Sequence, residues 1–209
     1  MTATGDQSRA GRAVPADDDP GGFRRRLLDG LAASIVEDGY RDTTVADIVR
    51  RAHTSRRTFY EHFASKEECF VALLAAVNQE MLRRIPAEVD PNSPWQDQVR
   101  QAVQAWIGYA ESQPAITLSW IREVPALSVP TCRQDMTESF IAMIQALCDT
   151  GPMRAAGIGP VPRELAVMLL GGLRELAATT VEDGGRISDV AETAVRASIA
   201  LLGSRSKLS

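Results

Sequence analysis

The sequence predicts an all-α protein, and three observations support this fold class. Apolar residues recur at helical spacing along most of the chain, aromatic residues make up only 5% of it, and no stretch alternates apolar and polar residues as a strand does. Ala and Leu dominate the apolar segments, which favours packed helices. A chain of 209 residues with 44% hydrophobic residues can bury a core without disulfides or a metal.

The N-terminal segment and the first helix have different compositions. Residues 1–22 contain much Gly, Ala, Asp and Pro and almost no large apolar residue, so they are predicted to be a disordered tail. Arg9 and Arg12 could instead follow a DNA minor groove, which the neighbouring acidic residues oppose. An apolar stripe then predicts an amphipathic helix over residues 23–38, with Gly39 as its C-terminal cap.

Residues 43–66, TTVADIVRRAHTSRRTFYEHFASK, have the pattern of a helix-turn-helix. A capping box opens the first of two short helices. On the second helix, Phe59 and Phe63 are four residues apart, so they share one face, and that face must be buried. Arg56 and Arg57 fall on the remaining arc. A helix with outward guanidinium groups suits the major groove of DNA.

The net charge of −4 hides an uneven distribution. Residues 23–66 carry 9 Lys and Arg against 6 Asp and Glu, whereas residues 67–209 carry 12 against 17. The positive charge that a nucleic-acid binder needs therefore lies with the helix-turn-helix. The rest of the chain is predicted to have another task.

The remaining residues predict further helices, separated by Pro and Gly. Capping boxes at Ser65 and Ser93 open two of these helices, and Pro114 ends the second. The segment rich in Gly and Pro between residues 151 and 162 is predicted to be a connection. The predicted helical ranges are 65–84, 93–112, 115–124, 131–149, 163–181 and 187–202.

The last two predicted helices carry apolar residues on more than one side. One face can serve the core of the subunit and another face a second copy of the chain, giving a four-helix bundle in a homodimer. The alternative is that both helices only form the core of a monomer. The predicted dimerisation residues are Leu169, Leu173, Leu176, Val190, Ala194, Ala197 and Leu201.

A ligand pocket is predicted among the three middle helices. Aromatic and Met side chains there can line a cavity for a mainly apolar ligand, although core packing explains the same residues equally well. The candidate lining residues are Trp106, Tyr109, Trp120, Met136, Phe140, Met143 and Leu147. Glu111, Arg122 and Glu175 are candidate polar anchors if they face inward.

Residue types that catalysis needs are sparse in this sequence. The two histidines, His53 and His62, both lie in the helix-turn-helix, and the three cysteines form no CxxC pair. No catalytic residue, metal site or cofactor is predicted, and a redox sensor at Cys132 or Cys148 is a minor alternative. Without a membrane-spanning run or a secretory leader, the expected location is the cytoplasm.

The segments TTVADIVRRA, SRRTFYEHF and SKEECF, taken together, resemble the DNA-binding domain of the TetR family of bacterial transcription regulators over about residues 24–75. The resemblance implies an all-helical homodimer of about nine helices per chain. It also implies an effector pocket in the C-terminal domain, and release of a DNA operator when a ligand binds.

The resemblance also implies roles for individual residues of the helix-turn-helix. Backbone phosphates would be held by Thr44, Tyr60 and Lys66, while bases or nearby phosphates would be approached by Ser55, Arg56, Arg57 and Thr58, with His62 beside them. His53 and Arg57 stand where Gly is frequent in the family. His53 therefore needs a left-handed backbone or a different turn, and Arg57 could strengthen or redirect base readout.

The sequence thus predicts a tail at residues 1–22, a three-helix DNA-binding domain at 23–68, and an effector-binding and dimerisation domain at 69–209. The predicted function is a dimeric repressor, not an enzyme, that binds a near-palindromic DNA operator and leaves it when an unidentified apolar ligand binds. Two alternatives remain open. One is a small-molecule binder or enzyme with a vestigial helix-turn-helix, and the other is an architectural DNA binder without an effector.

Overall fold

The computed structural model describes residues 20–124 and 130–203, with side chains placed over 21–124 and 134–203. These residues form ten α-helices and one 3₁₀ turn, with no strand among them, which confirms the predicted all-α fold. Most of the predicted N-terminal tail lies outside the described residues. Within them, no helix is both long and apolar enough to cross a membrane.

The helices follow the predicted order closely, with two additions. A short helix, α8, lies in the segment predicted as a connection, and the last predicted helix begins with a separate 3₁₀ turn over Ile187–Val190. The bounds are α1 Pro20–Asp42, α2 Val45–Arg51, α3 Arg56–His62, α4 Lys66–Ala87, α5 Trp95–Ser112, α6 Pro114–Glu123, α7 Pro130–Leu147, α8 Gly151–Ala155, α9 Arg163–Glu182 and α10 Ala191–Gly203.

Gly39 interrupts α1 where the sequence predicts its end. Its φ of 77° and ψ of 163° are not helical, and they place the chain in the region that favours Gly. The Thr43 hydroxyl donates a hydrogen bond of 2.7 Å to the Gly39 carbonyl. The same carbonyl also accepts the Thr43 backbone N–H at 3.2 Å, so Thr43 closes the end of α1 just before α2 begins.

The helix-turn-helix packs as a three-helix unit. Leu27 and Leu31 of α1, Ile48 of α2 and Phe59 of α3 are fully buried, so each helix contributes to one core. α1 and α2 approach so closely at Gly30 that a Cβ atom there would lie 2.8 Å from the Ile48 carbonyl oxygen. Only Gly allows this contact, which fixes how α2 sits on α1.

One of the three predicted capping boxes is complete, and the second forms only in part, because the Glu68 carboxylate accepts from the Ala64 amide and not from that of Ser65. Thr44 accepts a hydrogen bond from the Asp47 backbone while the Asp47 carboxylate accepts one from the Thr44 backbone. Ser65 caps α4 through the Glu68 amide at 3.1 Å. The prediction for Ser93 was wrong. Its hydroxyl donates to Asp90 at 3.0 Å, and α5 begins without a side-chain cap.

α4 links the two parts of the chain. Its first turn lies against the end of α1 in the helix-turn-helix, and its later residues Met81 and Ile85 are buried in the C-terminal core. Around α4, α5 packs on α10, and α6 and α7 pack on α9. Pro114, predicted to end α5, also stands at the first residue of α6, where its missing N–H costs nothing.

Candidate DNA interface, ligand cavity and dimer surface

The turn before α3 uses a left-handed backbone. His53 has a φ of 51°, so it takes the left-handed conformation that Gly takes more readily. Ser55 then caps α3 by accepting a hydrogen bond of 3.0 Å from the Thr58 amide, and its hydroxyl lies 2.9 Å from the Thr58 hydroxyl. Both side chains implied to approach DNA at this end of α3 are therefore held in fixed positions.

The two faces of α3 separate as predicted. Phe59 is fully buried and Phe63 is 3% exposed, whereas Tyr60 is 58% exposed. Arg56 and Arg57 are exposed on the same outer side. The helix therefore presents a phenol and two guanidinium groups while its aromatic pair anchors it.

Arg57 forms an ion pair with another residue of α3. Its Nε donates a hydrogen bond of 3.0 Å to the Glu61 carboxylate one turn later, and its side chain is 89% exposed. An exposed pair of this kind contributes only about 0.3–0.5 kcal/mol. DNA can therefore recruit the Arg57 guanidinium at little cost, although Glu61 opposes the phosphates by its charge.

The other residues predicted to contact DNA differ in their exposure and in their contacts within the protein. Thr44 is exposed at the start of α2, but its hydroxyl lies 2.5 Å from the Asp47 carboxylate. These contacts and the nearby Arg50 lower the pKa of Asp47 to about 2. His62 is half-buried in the last turn of α3.

Lys66 lies against the protein backbone. Its ammonium donates hydrogen bonds to the carbonyls of Tyr40 at 2.8 Å, Arg41 at 3.2 Å and Thr43 at 2.8 Å, and it lies 4.4 Å from the centre of the Tyr40 ring. An ammonium has three donors, so all three are used. Burial lowers the pKa of Lys66 from its ordinary value. This geometry favours a structural role, which joins α4 to the chain between α1 and α2.

Replacing Lys66 with Met tests that role. We expect the free energy of unfolding, measured in urea, to fall by about 2 kcal/mol, because three carbonyls, two of them in partly buried hydrogen bonds, lose a charged donor. Affinity for all DNA sequences should fall alike, while its dependence on salt stays the same. A Lys66 that instead contacts a phosphate would lower the magnitude of the salt slope by about 0.9 on its removal. Arg83→Met, on the exposed side of α4, is the control.

A cavity of about 80 Å³ lies between α4, α5, α7, α9 and α10. Four of the seven predicted pocket residues line it: Trp106, Phe140, Met143 and Leu147. The other three, Tyr109, Trp120 and Met136, are buried but are not among the residues that line it. The wall that they were predicted to complete comes from elsewhere in the chain.

The missing wall residues come from helices that the sequence assigned to other tasks. Ile85 lies in the last turn of α4, Leu170 and Leu173 belong to α9, and Leu202 belongs to α10. Their apolar spacing was visible in the sequence, but which helix faces they meet depends on tertiary packing. Cys148 also lines the cavity, and burial raises the pKa of its thiol to about 11, so it is held as a thiol.

The polar candidates from the sequence face away from the cavity. Glu111 binds Arg186 at 2.9 Å, and Arg122 binds both Glu175 and Glu182 on the surface. The first ion pair joins α5 to the loop after α9, and the other two join α6 to α9. Among the described residues, no group of His, Cys, Asp and Glu side chains could hold a metal ion.

Arg174 of α9 is a site residue that the sequence interpretation missed. Its guanidinium lies 5.0 Å from the centre of the Trp120 ring and 5.6 Å from that of Phe140. Its Nη2 atom is buried without a hydrogen-bond partner within the described part of the chain. Burial lowers the pKa of Arg174 to about 10, so it is still a cation at neutral pH. Arg174 as a whole is half-buried, and two ring contacts, each worth roughly 0.5–2 kcal/mol, are weak compensation for the loss of water at Nη2.

An apolar groove runs along the outer side of α9 and α10. Six of the seven predicted dimerisation residues line it: Leu169, Leu173, Leu176, Ala194, Ala197 and Leu201. Val190, the seventh, lies in the 3₁₀ turn. Met168 lines the same groove and is 61% exposed. The groove and the cavity share Leu169, Leu173 and Ser198, so one layer of side chains separates them.

Comparison with known proteins identifies the helix-turn-helix domain by its sequence. A model of the tetR family of bacterial regulatory proteins matches residues 27–73. Nucleoid occlusion factor SlmA of Vibrio cholerae is 25% identical over 95 residues, which are 45% of this chain and 48% of that protein. The chain thus spans about half the length of the curated relatives that it matches first. The HTH-type transcriptional regulator TcmR of Streptomyces glaucescens is 33% identical over 76 residues, 34% of each chain.

Longer similarities extend over both parts of the chain. An uncharacterized HTH-type transcriptional regulator of Mycobacterium tuberculosis is 23% identical over 172 residues, 82% of this chain and 87% of that protein. The fold resembles that of the fatty acid degradation regulator FadR of Bacillus halodurans, with a TM-score of 0.72 and 15% sequence identity. The matched region covers 86% of this chain and 97% of that chain. FadR of Bacillus subtilis, solved in complex with stearoyl-CoA, has a TM-score of 0.71, 14% identity and coverage of 86% and 98%.

Proposed function

We propose that this chain, whose residues 27–73 match the tetR family of bacterial regulatory proteins, is a dimeric repressor of that family that a small, mainly apolar ligand releases from its DNA operator. The exposed, positively charged side of α3 is the observation that carries this proposal. Residues 23–68 form the DNA-binding domain, residues 69–209 bind the effector and the second subunit, and the protein works on DNA in the cytoplasm.

The DNA-binding step rests on α3 and its supports. Arg56, Arg57 and Tyr60 face outward together, and buried Phe59 and Phe63 hold the helix in place. In the major groove, the Arg57 fork would bind guanine, and Tyr60 would contact a phosphate. The hydroxyls of Ser55 and Thr58 lie at the end of α3 that enters the groove first.

Dimerisation supplies the second half-site. One recognition helix of seven residues reads too few base pairs for useful specificity, so two copies must act together. The apolar groove of α9 and α10 offers the surface for a four-helix bundle between two chains. The dimer then places the two α3 helices about 34 Å apart, or somewhat more, on a near-palindromic operator.

The effector step rests on the apolar cavity. Its volume of about 80 Å³ is well below the ~300–1,000 Å³ of ligand pockets, so a ligand must push the surrounding helices apart. Ile85 on α4 lines this cavity, and α4 also carries Lys66 beside the helix-turn-helix. Expansion of the cavity therefore acts on the helix that positions the DNA-binding domain. A related fold binds stearoyl-CoA, and a molecule with an apolar chain suits this wall as well.

Selection of DNA sites from a random pool tests the proposal directly. We expect a near-palindromic consensus, and we expect apolar compounds from a screen to dissociate the protein from it. Selective DNA binding that no compound affects would favour an architectural protein without an effector. Ligand binding without sequence selectivity would favour a small-molecule binder with a vestigial helix-turn-helix, and would overturn the repressor.

A further inference from the structure

Arg174 stands out because no hydrogen bond or ion pair to a carboxylate is found for its guanidinium within the described part of the chain. Trp120 and Phe140 lie against its guanidinium, and Nη2 has no hydrogen-bond partner among residues 20–124 and 130–203. Two arginines near the protein surface are different, since Arg122 and Arg163 each bind carboxylates on neighbouring helices. A guanidinium fork is well suited to hold a carboxylate through two parallel hydrogen bonds.

The position of Arg174 relates it to the cavity. Leu170 and Leu173 precede it on α9 and both line the cavity, and residues four apart on a helix share a face. Phe140 has two roles, because its ring lines the cavity and also lies against the guanidinium. The guanidinium therefore lies about one ring away from the apolar cavity, on the side of Phe140.

We propose that Arg174 binds the carboxylate of the effector, so that the ligand is an unbranched or compact apolar monocarboxylic acid whose tail fills the cavity. This inference rests on the proposed ligand-binding function and specifies the chemical class of the ligand. The tail contacts the side chains of α4, α5 and α7, while the head displaces the Phe140 ring and forms hydrogen bonds with the guanidinium. The ligand thus supplies an anion that the described residues do not place beside Arg174.

Matched probes distinguish the contribution of the ligand's carboxylate head to affinity from that of its apolar tail. Isothermal titration compares decanoate with 1-decanol and methyl decanoate, which have the same chain but no charge, and shorter and longer acids give the preferred length. We expect decanoate to bind at least about tenfold more tightly than either neutral probe, because a charge-assisted bidentate contact is absent from them. Decanoate, and not 1-decanol, should release the DNA at low concentration.

Variants assign the preference to one residue. R174M keeps most of the apolar stem of the side chain but removes its charge, and we expect decanoate affinity to fall at least about tenfold while 1-decanol affinity changes less than about twofold. R174Q provides a second neutral variant, and 1-decanol binding reports that each variant is folded. R163M, an exposed arginine of the same helix, is the matched control and should bind decanoate as the wild type does.

Three outcomes would overturn the inference. Equal binding of decanoate and 1-decanol by the wild type would mean that the head carries no recognition, while the apolar-ligand function would stand. If R174M and R174Q kept the preference for decanoate over 1-decanol, the carboxylate would bind at another residue. Failure of every probe, from hexanoate to hexadecanoate and including the neutral ones, would overturn both this inference and the proposed apolar effector.

Discussion

Ala197→Glu is expected to abolish high-affinity operator binding without touching the DNA-binding domain. Ala197 is exposed on α10, in the apolar groove that also contains Leu173, Leu176 and Leu201. In the proposed dimer, this position would bury a carboxylate without a partner, which costs several kcal/mol. The dimer should dissociate, and a monomer reading one half-site should lose about a thousandfold or more in operator affinity.

Light scattering and DNA titration measure the two effects together. We expect Ala197→Glu to be a folded monomer at micromolar concentration, with unchanged helical circular dichroism. Ala155→Glu adds the same charge at an exposed Ala of α8 and should leave both dimer and affinity intact. A wild type that is itself monomeric at this concentration would count against the dimer, and a dimeric Ala197→Glu would move the interface away from this groove.

Local features of the fold could be predicted from the sequence because their causes are local. The break in α1 follows from one residue, since Gly39 adopts a positive φ that other residues avoid. The burial of Phe59 and Phe63 follows from their spacing on one helix. The prediction for Ser93 failed because Asp90, just before it, competes for the hydroxyl.

The cavity shows where such local reasoning ends. Trp106 and Phe140 were identified because aromatic residues are conspicuous, but the aliphatic side chains of α4 and α9 complete the wall. Which faces meet depends on helix crossing geometry, which periodicity does not specify. Arg174 was missed for the same reason. A charged residue on a helix is ordinarily solvated, and only packing against Trp120 and Phe140 shows that the Arg174 guanidinium is partly removed from solvent.

The role of Lys66 also required the structure. The SKE pattern at residues 65–67 is a local feature, and Ser65 caps α4 as that pattern predicts. The Lys66 ammonium, however, binds carbonyls at the end of α1 and just after it, which lie 23 to 26 residues earlier in the chain. A contact over that separation depends on how α1 and α4 pack. Its resemblance-based role at a phosphate therefore stays a prediction, beside the structural role that its hydrogen bonds favour.

Arg57→Ala is expected to change which DNA sequence the protein prefers. Arg57 is 89% exposed on the outer side of α3, where its fork can bind the O6 and N7 atoms of guanine. Loss of one such contact costs about 1–3 kcal/mol, so the preferred operator should bind roughly 5- to 150-fold less tightly. Random DNA should lose much less, because only one positive charge is removed. Site selection should show relaxed specificity at one base pair in each half-site.

Glu61→Gln separates base recognition from simple charge, because Glu61 pairs with Arg57 in the free protein. Removing this carboxylate frees the guanidinium and removes a negative charge near the phosphates, so affinity for operator and random DNA should rise together. Titration of both variants on both DNAs at two salt concentrations distinguishes the effects. Equal losses of Arg57→Ala on operator and random DNA would show that Arg57 contacts only the backbone. The specificity of this chain would then depend on the remaining outward residues of α3, with Arg56 the first to replace.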